Sequence, residues 1–225
     1  MKEAIDQKEE RAIRIIRTLK KATKNMPQPA SSSIVERYGK DPFLVLISCI
    51  LSLRAKDTAS LPISIELFKY AKTPEAMVAL PMQQLERIIY SVGYYRSKAE
   101  QIKSISNELI TRFDGRVPDS YDELISIKGV GPKTANLVLG VAFDIPALIV
   151  DIHVHRISNR LGLVKTKTPK ETQEALEALL PKTYWLEYSR LLVVWGQNVC
   201  VPISPFCSQC PLFNDCKRVG VKRSR

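Results

Sequence analysis

Apolar positions along this chain recur mostly at helical spacing. Between residues 3 and 24, Ile5, Ala12, Ile15, Ile16 and Leu19 stand among many charges and predict an amphipathic helix. Asn25 to Ser33, with two prolines and three serines, reads as a linker or loop. Phe43 to Leu53 is nearly all apolar, the pattern of a helix buried on every side. It ends abruptly in Leu51-Ser52-Leu53-Arg54-Ala55-Lys56-Asp57, a polar cluster that either faces a cleft or simply meets solvent. Shorter helices with proline-containing joints are expected over about 59–70, 74–79 and 82–92. Gly93-Tyr94-Tyr95-Arg96-Ser97-Lys98-Ala99 breaks the pattern before a helix over about 97–113. Later helices are expected from Asp151 to about Leu161, over 169–180 and over 184–196. Alternating strand patterns are few and no repeat of useful length occurs. The expected fold class is all-α.

Residues 120–142 read as a helix-hairpin-helix. Ser120-Tyr121-Asp122-Glu123 has the spacing of a capping box ahead of apolar Leu124, Ile125 and Ile127. In Lys128-Gly129-Val130-Gly131-Pro132-Lys133, Gly129 and Gly131 allow a tight reversal, including positive φ where it is needed. Pro132 suits the first turn of the next helix, where its missing N–H costs nothing. The N–H groups of such a turn, from Gly129, Val130 and Gly131, form an anion site suited to a DNA phosphate. Lys133 then stands at a helix start, where the dipole opposes a positive charge. Such a lysine serves either as a nucleophile or as a plain phosphate or solvent contact.

Charge narrows the partner. Lys and Arg total 34 against 23 Asp and Glu, a formal net charge of +11, which favours a polyanion and most simply nucleic acid. No stretch reaches the roughly 20 apolar residues needed to cross a bilayer. The first ten residues lack the apolar core of a signal peptide. The expectation is a cytoplasmic protein, nucleoid-associated in a prokaryote, with no membrane partner.

Asp151 lies eighteen residues after Lys133 and directly before Ile152-His153-Val154-His155-Arg156, the place of a helix N-cap. Capping alone accounts for an aspartate there. A return loop that brought it beside Lys133 would instead pair a nucleophilic amine with a carboxylate able to stabilise positive charge. His153 and His155 point to different helix faces, so a shared metal site is not expected. His153 is within reach of a phosphate or serves as a structural histidine. Tyr94 and its basic neighbours suit base stacking and phosphate contact, or else cap the core.

Four of the five cysteines, Cys200, Cys207, Cys210 and Cys216, form a C-x6-C-x2-C-x5-C pattern within 17 residues. Four thiolates so close in sequence can share one metal centre, and ligand type alone suits zinc as well as an iron–sulfur cluster. Cys49, alone in an apolar run, reads as an ordinary core residue.

Together these segments resemble the endonuclease III family of helix-hairpin-helix DNA glycosylases. Lys128 to Asn136 looks like its hairpin with the catalytic lysine. Val150-Asp151-Ile152-His153 looks like its catalytic aspartate segment, and the cysteine spacing looks like its 4Fe–4S loop. The resemblance spans about residues 35–218 and moves the expected metal from zinc to iron–sulfur. It implies two all-α lobes, a six-helix barrel over 35–145 and a 4Fe–4S cluster lobe formed by 1–34 with 146–225. It also implies catalytic roles for Lys133 and Asp151, and cluster ligation by the four cysteines. By position, Arg54 and Tyr94 would fill the gap left by a flipped base, where the family commonly has glutamine and leucine. The loop from Val201 to Phe206 lacks the family's basic residues, so phosphate contact would pass to Lys217, Arg218, Lys222 and Arg223. The implied partner is duplex DNA carrying damaged bases or abasic sites, bound by a monomer. The implied activity is a bifunctional glycosylase and abasic-site lyase acting on oxidised pyrimidines. A mismatch thymine or uracil glycosylase and a non-catalytic iron–sulfur DNA-binding module are the alternatives; Lys133 argues against the first, and Lys133 together with Asp151 against the second.

Overall fold

In a computed structural model of the chain, residues 2–55 and 57–225 are described, with only the backbone for residues 2–5. The Ile5 side chain and Lys56 of the polar cluster lie outside the described residues. The described residues form α-helices and short 3-10 turns, with no strand among them. The helices are α1 (Lys2–Ala22), α2 (Ala30–Tyr38), α3 (Pro42–Ser52), α4 (Asp57–Leu67), α5 (Pro74–Ala79) and α6 (Met82–Ile88). There follow α7 (Tyr95–Phe113), α8 (Tyr121–Ser126), α9 (Pro132–Ala142), α10 (Ile152–Leu161), α11 (Pro169–Glu177) and α12 (Trp185–Asn198). The chain divides into two compact units, residues 29–145 and residues 1–28 with 146–225.

The unit of residues 29–145 is built around α3. Every residue from Phe43 to Leu51 is buried, and each large aliphatic side chain enclosed this way contributes about 1.5–3 kcal/mol. Such a helix needs neighbours all round, and α2, α4, α7 and α9 supply them. Asp41 starts it, accepting from the N–H groups of Phe43 and Leu44, with Pro42 in the first turn. This unit begins at Pro29, six residues before the expected boundary, because Ser31 to Ser33 are not a linker but part of α2. Ala30 and Ile34, one turn apart, bury that helix against its neighbours. Three consecutive serines masked the spacing.

Helix α7 ties two of its neighbours down by their carbonyl ends. The last carbonyls of a helix have no intrahelical donor. The Lys98 ammonium donates to the Leu51 and Leu53 carbonyls, both at 2.7 Å, where α3 ends. Lys103, one turn on, donates likewise to Val78 and Leu80 where α5 ends. Lys98 is only 5% exposed, and burial pulls its pKa down to about 8.

The second unit packs α1 through Ala12, Ile15, Ile16 and Leu19 against α12. Helix α10 lies between α11 and α12, and the buried Tyr188 hydroxyl meets Ser158 at 2.7 Å. The extended segment Ala147 to Val150 is buried and pinned where the Ile149 N–H donates to the Ser189 hydroxyl.

The depressed pKa of Lys98 gives a signed pH dependence. Between about 8 and its ordinary 10.5, the unfolded chain holds this proton more strongly than the folded one. Stability from this group is therefore fully present above 10.5, declines as pH falls, and is gone below about 8. In urea unfolding followed by circular dichroism, the wild type should gain more stability from pH 7 to pH 9.5 than Lys98→Met does. At pH 7 the variant should be less stable by about 2 kcal/mol, the scale of buried carbonyls left unpaired.

Candidate active site and cysteine centre

The reversal between α8 and α9 is tight. The Val130 N–H returns to the Ile127 carbonyl at 3.0 Å, and Gly129 takes a φ of +93°. A side chain there would also strike the Gln101 amide, its Cβ 2.6 Å from Nε2, and that amide donates to the Gly129 carbonyl. The positive φ is what favours glycine here, since the Gln101 amide ends a flexible side chain and can swing aside. Gly131 differs from expectation: its backbone is extended (φ −97°) and the space beside it is open. Its use is therefore access to the backbone rather than left-handed geometry. The capping box also fails, because the Ser120 side chain makes no cap hydrogen bond. The hairpin is held instead by Glu108, which accepts from the Lys128 N–H at 3.3 Å and pairs with Arg112.

Gly131 is the N-cap of α9 without a side chain to cap it, and Lys133 projects exposed from the first turn. Beneath lies α3. Burial pushes the Cys49 thiol up to about 12, although the charge of Lys133 acts in the opposite direction. Cys49 is thus an inert core residue within electrostatic range of Lys133.

Arg54 and Tyr94 come together in the same unit. Each is exposed with left-handed backbone, φ +56° and +61°, and the Arg54 guanidinium stands 5.8 Å from the Tyr94 ring centre. The two tyrosines part ways: Tyr94 is the N-cap of α7 and is exposed, whereas Tyr95 belongs to the helix and tilts against Tyr90 at 5.0 Å. The helix starts two residues earlier than expected, at Tyr95.

In the other unit, Asp151 is the N-cap of α10, and its Oδ1 accepts from the N–H groups of His153 and Val154 at 2.8 and 3.0 Å. His153 lies against Gly196 of α12, which has no room for a Cβ beneath the imidazole. Its Nδ1 is 3.1 Å from the Arg156 guanidinium. His155 faces elsewhere and meets the Thr172 hydroxyl at 2.6 Å.

Cys200, Cys207, Cys210 and Cys216 line one cavity of about 350 Å³, counting its mouth, with Phe206, Phe213 and Arg160. They ring it without closing on one point: among the described residues, no three His, Cys, Asp or Glu side chains gather to hold a single ion. Donors reach Cys210, from the Leu212 N–H and the Trp195 side chain, and two further sulfurs. Arg160 Nη1 lies 3.4 Å from Cys200 Sγ, and the Arg218 N–H lies 3.4 Å from Cys216 Sγ. Burial raises the Cys210 and Cys216 thiols, so a metal binding there must displace their protons. Lys217, Arg218, Lys222 and Arg223 are all exposed beside this loop, and Arg218 stacks on Phe213 at 4.2 Å.

Reading by motif missed Arg156 and Arg160. One helical turn apart on α10, they reach the Cys200 carbonyl and the carbonyls of Val201 and Pro202. Their i, i+4 spacing was the available signal. Lys98 gave none, since it reads as one more basic residue.

The comparison with known proteins agrees with this layout. The HhH-GPD superfamily of base excision DNA repair proteins matches residues 47–182. Endonuclease III of Thermotoga maritima is 46% identical over 197 residues, covering 85% of this chain and 92% of that protein. A solved non-covalent endonuclease III–DNA complex superposes with a TM-score of 0.83 at 33% identity, over 93% of this chain and 95% of that one. A trapped endonuclease III–DNA covalent intermediate, also 33% identical, gives 0.82 over 93% and 96%. Matched over most of its length by these relatives, the chain belongs to the endonuclease III family within the HhH-GPD superfamily of base excision DNA repair proteins.

Proposed function

We propose that this chain is a bifunctional DNA N-glycosylase and abasic-site lyase of base excision repair that removes oxidised pyrimidines from duplex DNA. The observation that carries the reading is Lys133: an exposed amine in the first turn of α9, directly after an uncapped glycine hairpin. A positioned amine can attack carbon; with the Val130 N–H turned back onto the Ile127 carbonyl and so unavailable, the N–H groups of Gly129 and Gly131 can hold the phosphate that positions the sugar. The relative trapped as a covalent DNA intermediate supports a covalent route.

In this reading the damaged nucleotide is drawn out of the stack. The Lys133 amine bonds to the sugar C1′ as the bond to the base breaks. Loss of the amine proton and opening of the sugar leave a Schiff base, and β-elimination then expels the 3′ phosphate and cuts the strand. Asp151 stabilises positive charge near C1′ and assists proton transfer. Its Oδ1 is committed to two backbone N–H groups, which fix the carboxylate's direction. Arg54 and Tyr94 occupy the gap in the duplex, and His153 adds a phosphate contact at the start of α10. The protein acts as a monomer in the cytoplasm, one flipped base requiring one chain.

The cysteine cavity fits a 4Fe–4S cluster held by Cys200, Cys207, Cys210 and Cys216. Its four thiols line one cavity, and the donors from Arg160 and the Arg218 N–H suit anionic sulfur. Such a cluster supplies a structural anchor for a loop too short to form its own core.

Borohydride treatment of a duplex bearing one thymine glycol should link wild-type protein covalently to DNA. Lys133→Gln should give no adduct and no strand cleavage, with DNA affinity within about twofold of wild type because phosphate contacts carry most of it. Equal loss of binding would make Lys133 a phosphate contact. Asp151→Asn keeps a good N-cap residue, so its melting temperature should hold while single-turnover excision falls by about 100-fold or more. Loss of stability with normal turnover would leave only the capping role. Purified protein should be brown with four irons per chain, and Cys207→Ser should lose colour and unfold at lower temperature. A colourless protein holding one zinc would overturn the cluster.

A further inference from the structure

The polar loop after α3 and the loop before α7 carry Arg54 and Tyr94 at their tips. Both residues hold left-handed backbone, which costs a non-glycine residue on the order of 1 kcal/mol and persists only where neighbours enforce it. One residue touches both loops beside those tips. The Lys98 ammonium donates to the Leu53 carbonyl, immediately before Arg54, and to the Leu51 carbonyl, each at 2.7 Å. The Lys98 backbone N–H donates to the Tyr94 carbonyl at 3.0 Å, the helical bond any residue there makes, so what the side chain adds is to tie the first loop to the helix that Tyr94 caps. Lys98 itself is buried, 5% exposed, so it cannot meet DNA. Its charge suits the carbonyl end of α3, and two of its three N–H groups are used on this loop alone.

We infer that Lys98 is the positioning residue that holds Arg54 and Tyr94 as one preformed wedge for the gap left in the DNA stack. The inference rests on the reading of Arg54 and Tyr94 as gap-filling residues. Lys98 acts through them. Without it, two α3-end carbonyls lose their donor and the first loop is released from α7. The Arg54–Tyr94 contact, 5.8 Å from guanidinium to ring, then has to form on the DNA at an entropic cost. The consequence is specific: discrimination of a lesion from intact duplex weakens, while contact with phosphates does not.

The test uses full-length protein and a duplex carrying a tetrahydrofuran abasic analogue with 2-aminopurine in the opposite strand. Insertion of a wedge disturbs stacking and raises 2-aminopurine fluorescence. Wild type and Lys98→Arg, which retains donors, should both raise it. Lys98→Met should not, and its preference for the abasic duplex over intact duplex should fall about tenfold, the scale of one charge-assisted contact, with intact-duplex affinity unchanged. A wild-type fluorescence rise and preference in Lys98→Met would overturn the inference. Should Lys98→Met fail to fold by circular dichroism, Lys98→Gln, with a neutral amide on a shorter stem, is read in the same assay and judged by the same two outcomes. The double variant Arg54→Ala/Tyr94→Ala separates the premises. If it keeps the full fluorescence rise, the gap-filling reading itself fails; if it loses the rise and the Lys98 variant keeps it, only the role of Lys98 fails.

Discussion

A helix apolar on every face cannot stand at a surface, and α3 imposes that constraint on residues 29–145. Its burial from Phe43 to Leu51 demands four packed neighbours, and two of them bring chemistry with them. Helix α9 lies against it and presents Lys133 from its first turn. Helix α7 lies against it too and provides donors for the Leu51 and Leu53 carbonyls with which α3 ends, the first of them buried. The polar loop that leaves α3 is therefore gripped at its first residues and carries Arg54 to a defined place. Enclosing α3 sets the positions of both the hairpin lysine and the loops that carry Arg54 and Tyr94.

In the other unit the corresponding beam is α10. Its first cap is Asp151, its middle bears Arg156 and its last turn Arg160, and those arginines hold carbonyls of the loop that begins at Cys200. A carboxylate that caps a helix has little freedom, because rotating it away abandons two backbone N–H groups. The requirement for a fixed carboxylate and the requirement for a capped helix are thus met by the same oxygen. The motif spacing around residue 151 left both possibilities open; the structure shows the cap, and in the proposed role the cap fixes the direction of the carboxylate.

Much of this was legible in the sequence because it depends on local chemistry. The apolar run at Phe43, the hairpin glycines, Pro132 at a helix start, Asp151 before a helix and the four cysteines all announce themselves within a few residues. What escaped depends on partners distant in sequence or on choices among equivalent local bonds. Helix α2 hid behind serines that favour loops, and only burial of Ala30 and Ile34 overrides them. Ser120 and Glu123 had the spacing of a capping box, yet the turn is braced by Glu108 and Gln101 from α7. Lys98 is the clearest case. Nothing within its own helix distinguishes it from Lys103 or Arg96, and its acceptors lie more than 40 positions away.

The cysteine loop shows how a site can be prepared for a charge. Half-buried beside Phe206, Phe213 and Val221, the Cys210 and Cys216 thiols hold their protons more strongly than free cysteine does. Deprotonation is then unfavourable unless something at the centre carries positive charge. The surrounding donors point the same way, because Arg160 and the Arg218 N–H gain most from sulfur that is anionic. The protein alone therefore leaves this cavity balanced against itself, with apolar walls opposing the thiolates and polar donors favouring them. The proposed cluster, held by the four cysteines, would resolve that opposition and couple its binding to the ordering of residues 200–216. Such coupling would let a loop with so little core of its own anchor the end of α10 opposite Asp151.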